Sequence, residues 1–430
     1  MTSEPCKCDQ NLLPTRETTR IQIVCRVECM AGVTIPSILF ESQTTAVMAE
    51  RSSTTTSGGS KGSNDVTTKP LQAAQFSTDA LWDPAWQESE GEATIRQRSN
   101  DDSARTFYCG WFCPYAQRVW IALEELGLDY KYVEVNPYCV DPSQPGGYTK
   151  DKQSIQKKRE TLPEFVAVSP YGLVPSIVEA DGATICDSAV CLEYLHQVYS
   201  HKVDNSKDEI FKGKIFPDNP LAASWVRLIM EHSKRIMSAH FTLMTEPSDE
   251  KRREAHHQLL QDAQLLAFAM VPDLKLDQPL LEAARTAEHP TVDVASWMAM
   301  ATRVHTLSKS TQSSDRPSDV SGPFILGDQF TAADICLGTF WMRVLWLDTH
   351  YRHFQMPVND PATHRLDRWW KAVQQRPSFR KTMICRERLI ACDLAYARRG
   401  AGNDSGITPL KDYAVVGTSR AFKRAKVETQ

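Results

Sequence analysis

The sequence predicts two folded parts: an α/β domain over residues 105–205, then an all-helical domain over residues 217–400. Three observations predict them. Residues 106–136 read as strand, helix and strand. Residues 172–199 read as a hairpin and a second helix. After Pro217 strand signals largely cease and long apolar-striped helices take over.

The first strand is TFYCGW (106–111), short and rich in aromatic residues. In the following segment, CPYAQRVWIALEELGL (113–128), Ala116, Val119, Trp120, Leu123 and Leu126 recur at helical spacing. Gly127 stands where such a helix would stop. DYKYVEVN (129–136) alternates apolar and polar residues as a second strand. A β–α–β unit of this length implies a parallel pair with a right-handed crossover. Residues 137–160, with three prolines and a glycine pair, read as a surface loop or a poorly formed helix. SIVEA and ATI, joined by Asp181-Gly182, are a hairpin signal. The order β-α-β-loop-β-β-α is the thioredoxin-like arrangement.

The helical part begins with NPLAASWVRLIMEHSKRIMSAHFTLM (219–244), followed by residues 249–271. FTAADICLGTFWMRVLWL (330–347) is almost wholly apolar and reads as a buried helix. Thr331 and Asp334 form a capping box at its start. Residues 364–383 give a helix that ends before Pro377, and residues 385–397 give another. Three stretches lack such periodicity and read as loose: the extension 1–104, an insertion at 272–322 and the tail 401–430.

The chain carries a formal net charge of −4, with 41% hydrophobic and 24% charged residues. That balance gives no electrostatic case for nucleic acid or an anionic membrane, and the sequence has no run of eighteen apolar residues that would span a bilayer. A long chain without a signal-peptide pattern and with twelve cysteines reads as a set of unpaired thiols in a reducing compartment. Cys6, Cys8, Cys25 and Cys29 fit common zinc spacings poorly, so no metal is expected. Met48 opens a plausible shorter product. Arg16, Arg20 and Arg26 hint at a mitochondrial presequence, which Glu4, Glu17 and Glu28 oppose.

The chemistry concentrates at Cys113. Pro114 favours the first helical position, so Cys113 falls at the N-cap. The N–H groups of Tyr115 and Ala116 and the helix dipole should then favour thiolate, giving a nucleophile that needs no partner base. A dithiol motif would place its second cysteine at position 116, which is Ala116, so the resolving thiol should come from outside. Cys109, four residues earlier, is the internal alternative. Val174-Pro175 before a strand is the second element: a cis proline there would leave a main chain free to pair with an extended peptide. Asp187-Ser188 heads a helix, where ordinary capping competes with binding a group that carries both carboxylate and ammonium.

FCPYAQRVWIALEELGLDYKYVEVNPY, SPYGLVPSIVEADG and ICDSAVCLEYL resemble the omega class of glutathione transferases and its fungal and plant relatives. GPFILGDQFTAADICL resembles the capping motif of that family's second domain. The resemblance covers residues 105–200 strongly and 218–397 more loosely. It implies Cys113 as nucleophile, forming a mixed disulfide with glutathione as co-substrate. Val174 and Pro175 would hold the tripeptide backbone, and Asp187 and Ser188 its γ-glutamyl end. Asp187 stands where Glu is usual. Thr161 stands where the family often has a lysine for the glycyl carboxylate, leaving Lys157, Lys158 or Arg159 to substitute, with Lys158 favoured.

The acceptor, a small electrophile or disulfide, would lie between the domains. Tyr115, Trp225, Ile229, His232 and Trp341 are candidates for its pocket, and His232 for a proton donor. The implied activity is reduction of mixed disulfides or dehydroascorbate. Its rivals are a glutathionyl-hydroquinone reductase and a non-enzymatic scaffold. Tyr115 and Gln117, in place of that reductase's usual Trp and His, count against the first. The resemblance also implies a homodimer in the cytoplasm, or in mitochondria if residues 1–47 belong to the product.

Overall fold

The computed structural model describes residue 85 and residues 87–141, 148–200, 213–270, 278–309 and 322–410. The cysteines at 6, 8, 25 and 29, the Met48 start and the presequence question lie outside the described residues.

The chain enters through helix α1 (Glu90–Ser99), followed by strand β1 (Thr106–Cys109), helix α2 (Pro114–Glu125) and strand β2 (Lys131–Glu134). A hairpin β3 (Tyr138–Val140) and β4 (Tyr148–Lys152) follows, then short helices α3 (Ile155–Thr161) and α4 (Pro163–Val168). Strands β5 (Ser176–Val178) and β6 (Thr184–Cys186) lead into helix α5 (Ser188–Tyr199). The main sheet runs β2-β1-β5-β6. β1 pairs parallel to β2 and antiparallel to β5, and β5 pairs antiparallel to β6. This is the thioredoxin-like sheet. Helix α2 is the crossover: Val119, Trp120 and Leu123 are wholly buried. Each such side chain contributes about 1.5–3 kcal/mol of apolar burial.

The second part is all helix: α6 (Pro220–Thr245), α7 (Asp249–Ala269), α8 (Gln278–Thr286), α9 (Val294–Lys309) and α10 (Ala332–Arg343). A π-helical segment, Val344–Asp348, continues α10 into α11 (Thr349–Arg352), before α12 (Pro361–Gln375), α13 (Pro377–Arg380) and α14 (Arg386–Ala401). The predicted capping box holds α10: Thr331 N–H donates to Asp334 at 2.9 Å. Asp334 also accepts from Ile325 N–H and Trp369 Nε1, each at 2.9 Å, so one wholly buried carboxylate ties three segments together.

The two parts are stitched by polar side chains. Gln117 of α2 donates to the Thr382 carbonyl at 3.1 Å and accepts from Arg343 at 2.9 Å. Ser378 donates to Glu125 at 2.6 Å.

Four expectations change. Helix α1 lies inside the stretch read as loose. Its capping box, Ser89 with Glu92, is visible in the sequence, and Glu92 also accepts from Cys385 N–H at 3.0 Å. Gly91 sits so close to the Met383 carbonyl that a Cβ there would collide with it. Helices α8 and α9 occupy much of the segment read as an insertion. Val294, Trp297, Ala301 and Val304 share one buried face of α9, a period interrupted by polar neighbours and so easily missed. The 137–160 stretch contains the β3–β4 hairpin, whose breakers Pro142, Pro145, Gly146 and Gly147 fall between its strands. Part of the tail is fixed: Thr408 and Leu410 N–H groups donate to the Tyr351 and Arg352 carbonyls at 3.1 and 3.0 Å.

Candidate functional site

A cavity of about 450 Å³ opens between the sheet end of the first part and helices α6, α10 and α14 of the second. Cys113, Tyr115, Val174, Pro175, Asp187 and Ser188 line it together. The first-domain half of the predicted site is thus one surface.

Cys113 is the N-cap of α2, with extended backbone and Pro114 at the first helical position. Its side chain is half-buried at the cavity wall. The sulfur closes no capping hydrogen bond. Burial pushes the Cys113 thiol up, and this outweighs the pull of the Ala116 and Tyr115 N–H groups and of the Arg343 and Arg118 guanidinium charges. Burial thus works against the thiolate that the helix start favours. Cys109 is wholly buried in β1 and does not line the cavity, so it cannot serve as the resolving thiol in this geometry.

Val174-Pro175 is a cis peptide, and among the described residues no hydrogen-bond partner holds the Val174 main chain. Asp187 adopts φ +74°, a left-handed conformation uncommon for a non-glycine residue and concentrated at ligand clamps. Its carboxylate accepts from Ala189 N–H at 2.9 Å, so it caps α5 while remaining exposed at the cavity. Ser188, beside it, is buried.

Lys158 is elsewhere. It is 2% exposed, does not line the cavity, and donates to the Gly172 carbonyl at 2.7 Å. It braces the turn before Val174, where Gly172 adopts φ +56° and a Cβ would strike the lysine stem. The lysines that do line the cavity come from β4. Lys152 is exposed. Lys150 is buried, paired with Asp393 at 2.8 Å and within 3.1 Å of Cys392 Sγ. Sequence reading took β4 for a loop, and so missed both.

The second wall differs most from expectation. Tyr115 lines the cavity, its ring edge-on to Phe340 at 5.3 Å. Trp225, Ile229, His232 and Trp341 do not; all are buried in the helical core. Trp225 packs on Trp297 at 4.9 Å, and His232 points its Nε2 toward the Asp262 carbonyl at 3.3 Å. Burial lowers the pKa of His232. The cavity instead meets Met237, His240, Phe241 and Met244 of the same helix α6, with Arg343, Leu347, Asp393 and Tyr396. Arg343 donates to the Phe112 carbonyl at 2.9 Å, and its Nε has no partner. Burial pulls it down to about 10, so it remains a cation at neutral pH. Among the described residues, no three His, Cys, Asp or Glu side chains cluster to hold a metal ion. No helix there is long and apolar enough to cross a membrane.

This geometry, a cysteine at a helix start and a cis proline lining one cavity, coincides with a family match over residues 112–198. The matching model is the glutathione S-transferase N-terminal domain. The rat glutathione S-transferase omega-1 is 26% identical over 145 residues, 34% of this chain and 45% of that protein. A zeta-class glutathione S-transferase of Euphorbia esula is 35% identical over 82 residues, 19% of this chain and 28% of its own. The chain thus spans less than half the length of these glutathione transferases. The omega-like resemblance stands on these matches. Among solved structures, glutathione transferase Omega 3C from Trametes versicolor has a TM-score of 0.44 at 21% identity, covering 69% of this chain and 95% of that one. Ure2p in complex with glutathione has a TM-score of 0.42 at 17% identity, covering 66% and 100%.

Proposed function

We propose that the chain is a glutathione-dependent thiol transferase that reduces mixed disulfides through a Cys113–glutathione disulfide. The observation that carries this reading is one cavity wall holding Cys113 at the start of α2, the cis Val174-Pro175 segment and the Asp187-Ser188 start of α5. A γ-linked tripeptide matches that wall. Its main chain pairs with Val174, its γ-glutamyl ammonium meets Asp187, and its carboxylate meets the hydroxyl and N–H groups at Ser188. The glycyl carboxylate meets Lys152. The glutathione sulfur then falls at Cys113.

In the first half-reaction the Cys113 sulfur attacks the glutathione sulfur of a mixed disulfide and the acceptor thiol leaves. In the second, free glutathione attacks the Cys113–glutathione disulfide and leaves as oxidised glutathione. None of the eight described cysteines is joined in a disulfide, in keeping with a reducing compartment such as the cytoplasm.

Cys113→Ala should abolish turnover of a glutathionylated peptide, with unchanged thermal unfolding. Mass spectrometry should find one glutathionyl group on the wild type, lost on that substitution. Full activity of Cys113→Ala ends the proposal. The scaffold alternative draws on the raised Cys113 pKa and predicts that neither adduct nor turnover occurs.

A further inference from the structure

We propose that His240, held by Asp348, is the catalytic acid and base of the cavity, carrying to the departing acceptor the proton that Cys113 gives up. The proposal rests on the thiol-transferase reading above and supplies what that reading lacks.

The need comes from Cys113. A thiol that burial keeps protonated must lose its proton to attack, and a departing alkyl thiolate must gain one. His240 is placed for that traffic. It lines the same cavity as Cys113 but is otherwise enclosed, at 3% exposure. Its Nδ1 lies 3.0 Å from both carboxylate oxygens of Asp348. A carboxylate can only accept, so the partner assigns the hydrogen to Nδ1. Nε2 then remains as the working atom. No described group pairs with it, and it is not sealed from the cavity.

The support for this arrangement is specific. Asp348 is wholly buried and ends the π-helical segment that follows Arg343. Such segments recur at functional sites because the widened turn re-aims one side chain. Burial pushes the Asp348 carboxyl up from its ordinary range, while the His240 imidazole and, less strongly, the Arg352 guanidinium charge pull it back toward the ionised form. A carboxylate orienting an imidazole whose far nitrogen meets substrate is the general acid–base arrangement.

The steps balance. The Cys113 thiol proton passes to His240 Nε2 within the cavity. The sulfur forms a bond to the glutathione sulfur, and the bond from that sulfur to the acceptor breaks. The electron pair leaves on the acceptor sulfur, which takes the proton from His240. In the return half, the glutathione thiol proton passes by the same nitrogen to the released Cys113 sulfur.

The test compares two glutathionyl mixed disulfides in single-turnover assays of the full chain. One carries an alkyl thiol and the other a nitro-substituted aromatic thiol, whose thiolate leaves without protonation. His240→Gln should slow transfer from the alkyl disulfide by about tenfold or more, within the usual reach of acid–base catalysis, and transfer from the aromatic one by clearly less, because there only the uptake of the Cys113 proton is lost. Asp348→Asn should show the same selectivity with a smaller loss. His240→Gln alone decides the matter if Asp348→Asn does not fold. Equal losses on both disulfides, or none on the alkyl one, overturn the proposal while leaving the thiol-transferase reading intact. A wild type inactive on both takes the two readings down together.

Discussion

Helix α6 carries two buried His–Asp pairs, and they do different things. In its first half, Trp225, Ile229 and His232 face α7 and α9, and His232 meets Asp262 inside packed core. Two turns on, Met237, His240, Phe241 and Met244 face the cavity, and His240 meets Asp348 with one nitrogen to spare. Both halves lie on one apolar stripe. A stripe tells which face of a helix is covered, but not whether a neighbouring helix or a ligand covers it.

Breaking the first half should unfold the protein without touching the chemistry. Trp225→Ala should cost about 3–5 kcal/mol by leaving a large void against Trp297. Denaturant melts would register that loss, with kcat of the remaining folded fraction unchanged. A loss of kcat in folded Trp225→Ala would erase the distinction between the two halves.

The same contrast can be sharpened on the opposite wall with two lysines. Lys158→Met should lower stability by about 1–3 kcal/mol, because the Gly172 carbonyl loses a charged donor. Lys152→Met should leave stability alone and raise the glutathione KM about two- to fivefold, the worth of an exposed charge pair. Reversed outcomes would return Lys158 to the binding role that the sequence suggests.

The smallest effect sharpens the question of proton traffic. Alkylation of Cys113 in the ligand-free protein should show a pH midpoint above the ordinary thiol value of about 8.5, because the raised thiol holds its proton longer. A midpoint below that value would make the helix dominant again and remove the need for His240.

These cases also mark how far the sequence could be read. Cys113, the Val174-Pro175 turn and the Thr331–Asp334 box were legible because each is a local device, set by residues a few positions apart. Helix α1 was equally local: Ser89 and Glu92 spell its start, but the polar extension before it hid the signal. The cavity's second wall was not legible. Choosing His240 over His232 depends on where α10, its π-helical segment and α14 come to rest, which are contacts across more than a hundred residues. Lys158 was misplaced for a similar reason. Among the described residues the β3–β4 hairpin pairs only with itself and packs beside α14, so it brings in lysines that spacing within the first domain does not suggest.

The stretch from Gly402 to Leu410 has a practical bearing on how the protein is handled. The Gly406 carbonyl accepts from Arg352 at 2.7 Å, and Leu410 N–H closes back on the Arg352 carbonyl. Arg352 in turn biases the charge on Asp348. A cut made before Gly406 would loosen a clasp whose far end reaches the proton-handling pair.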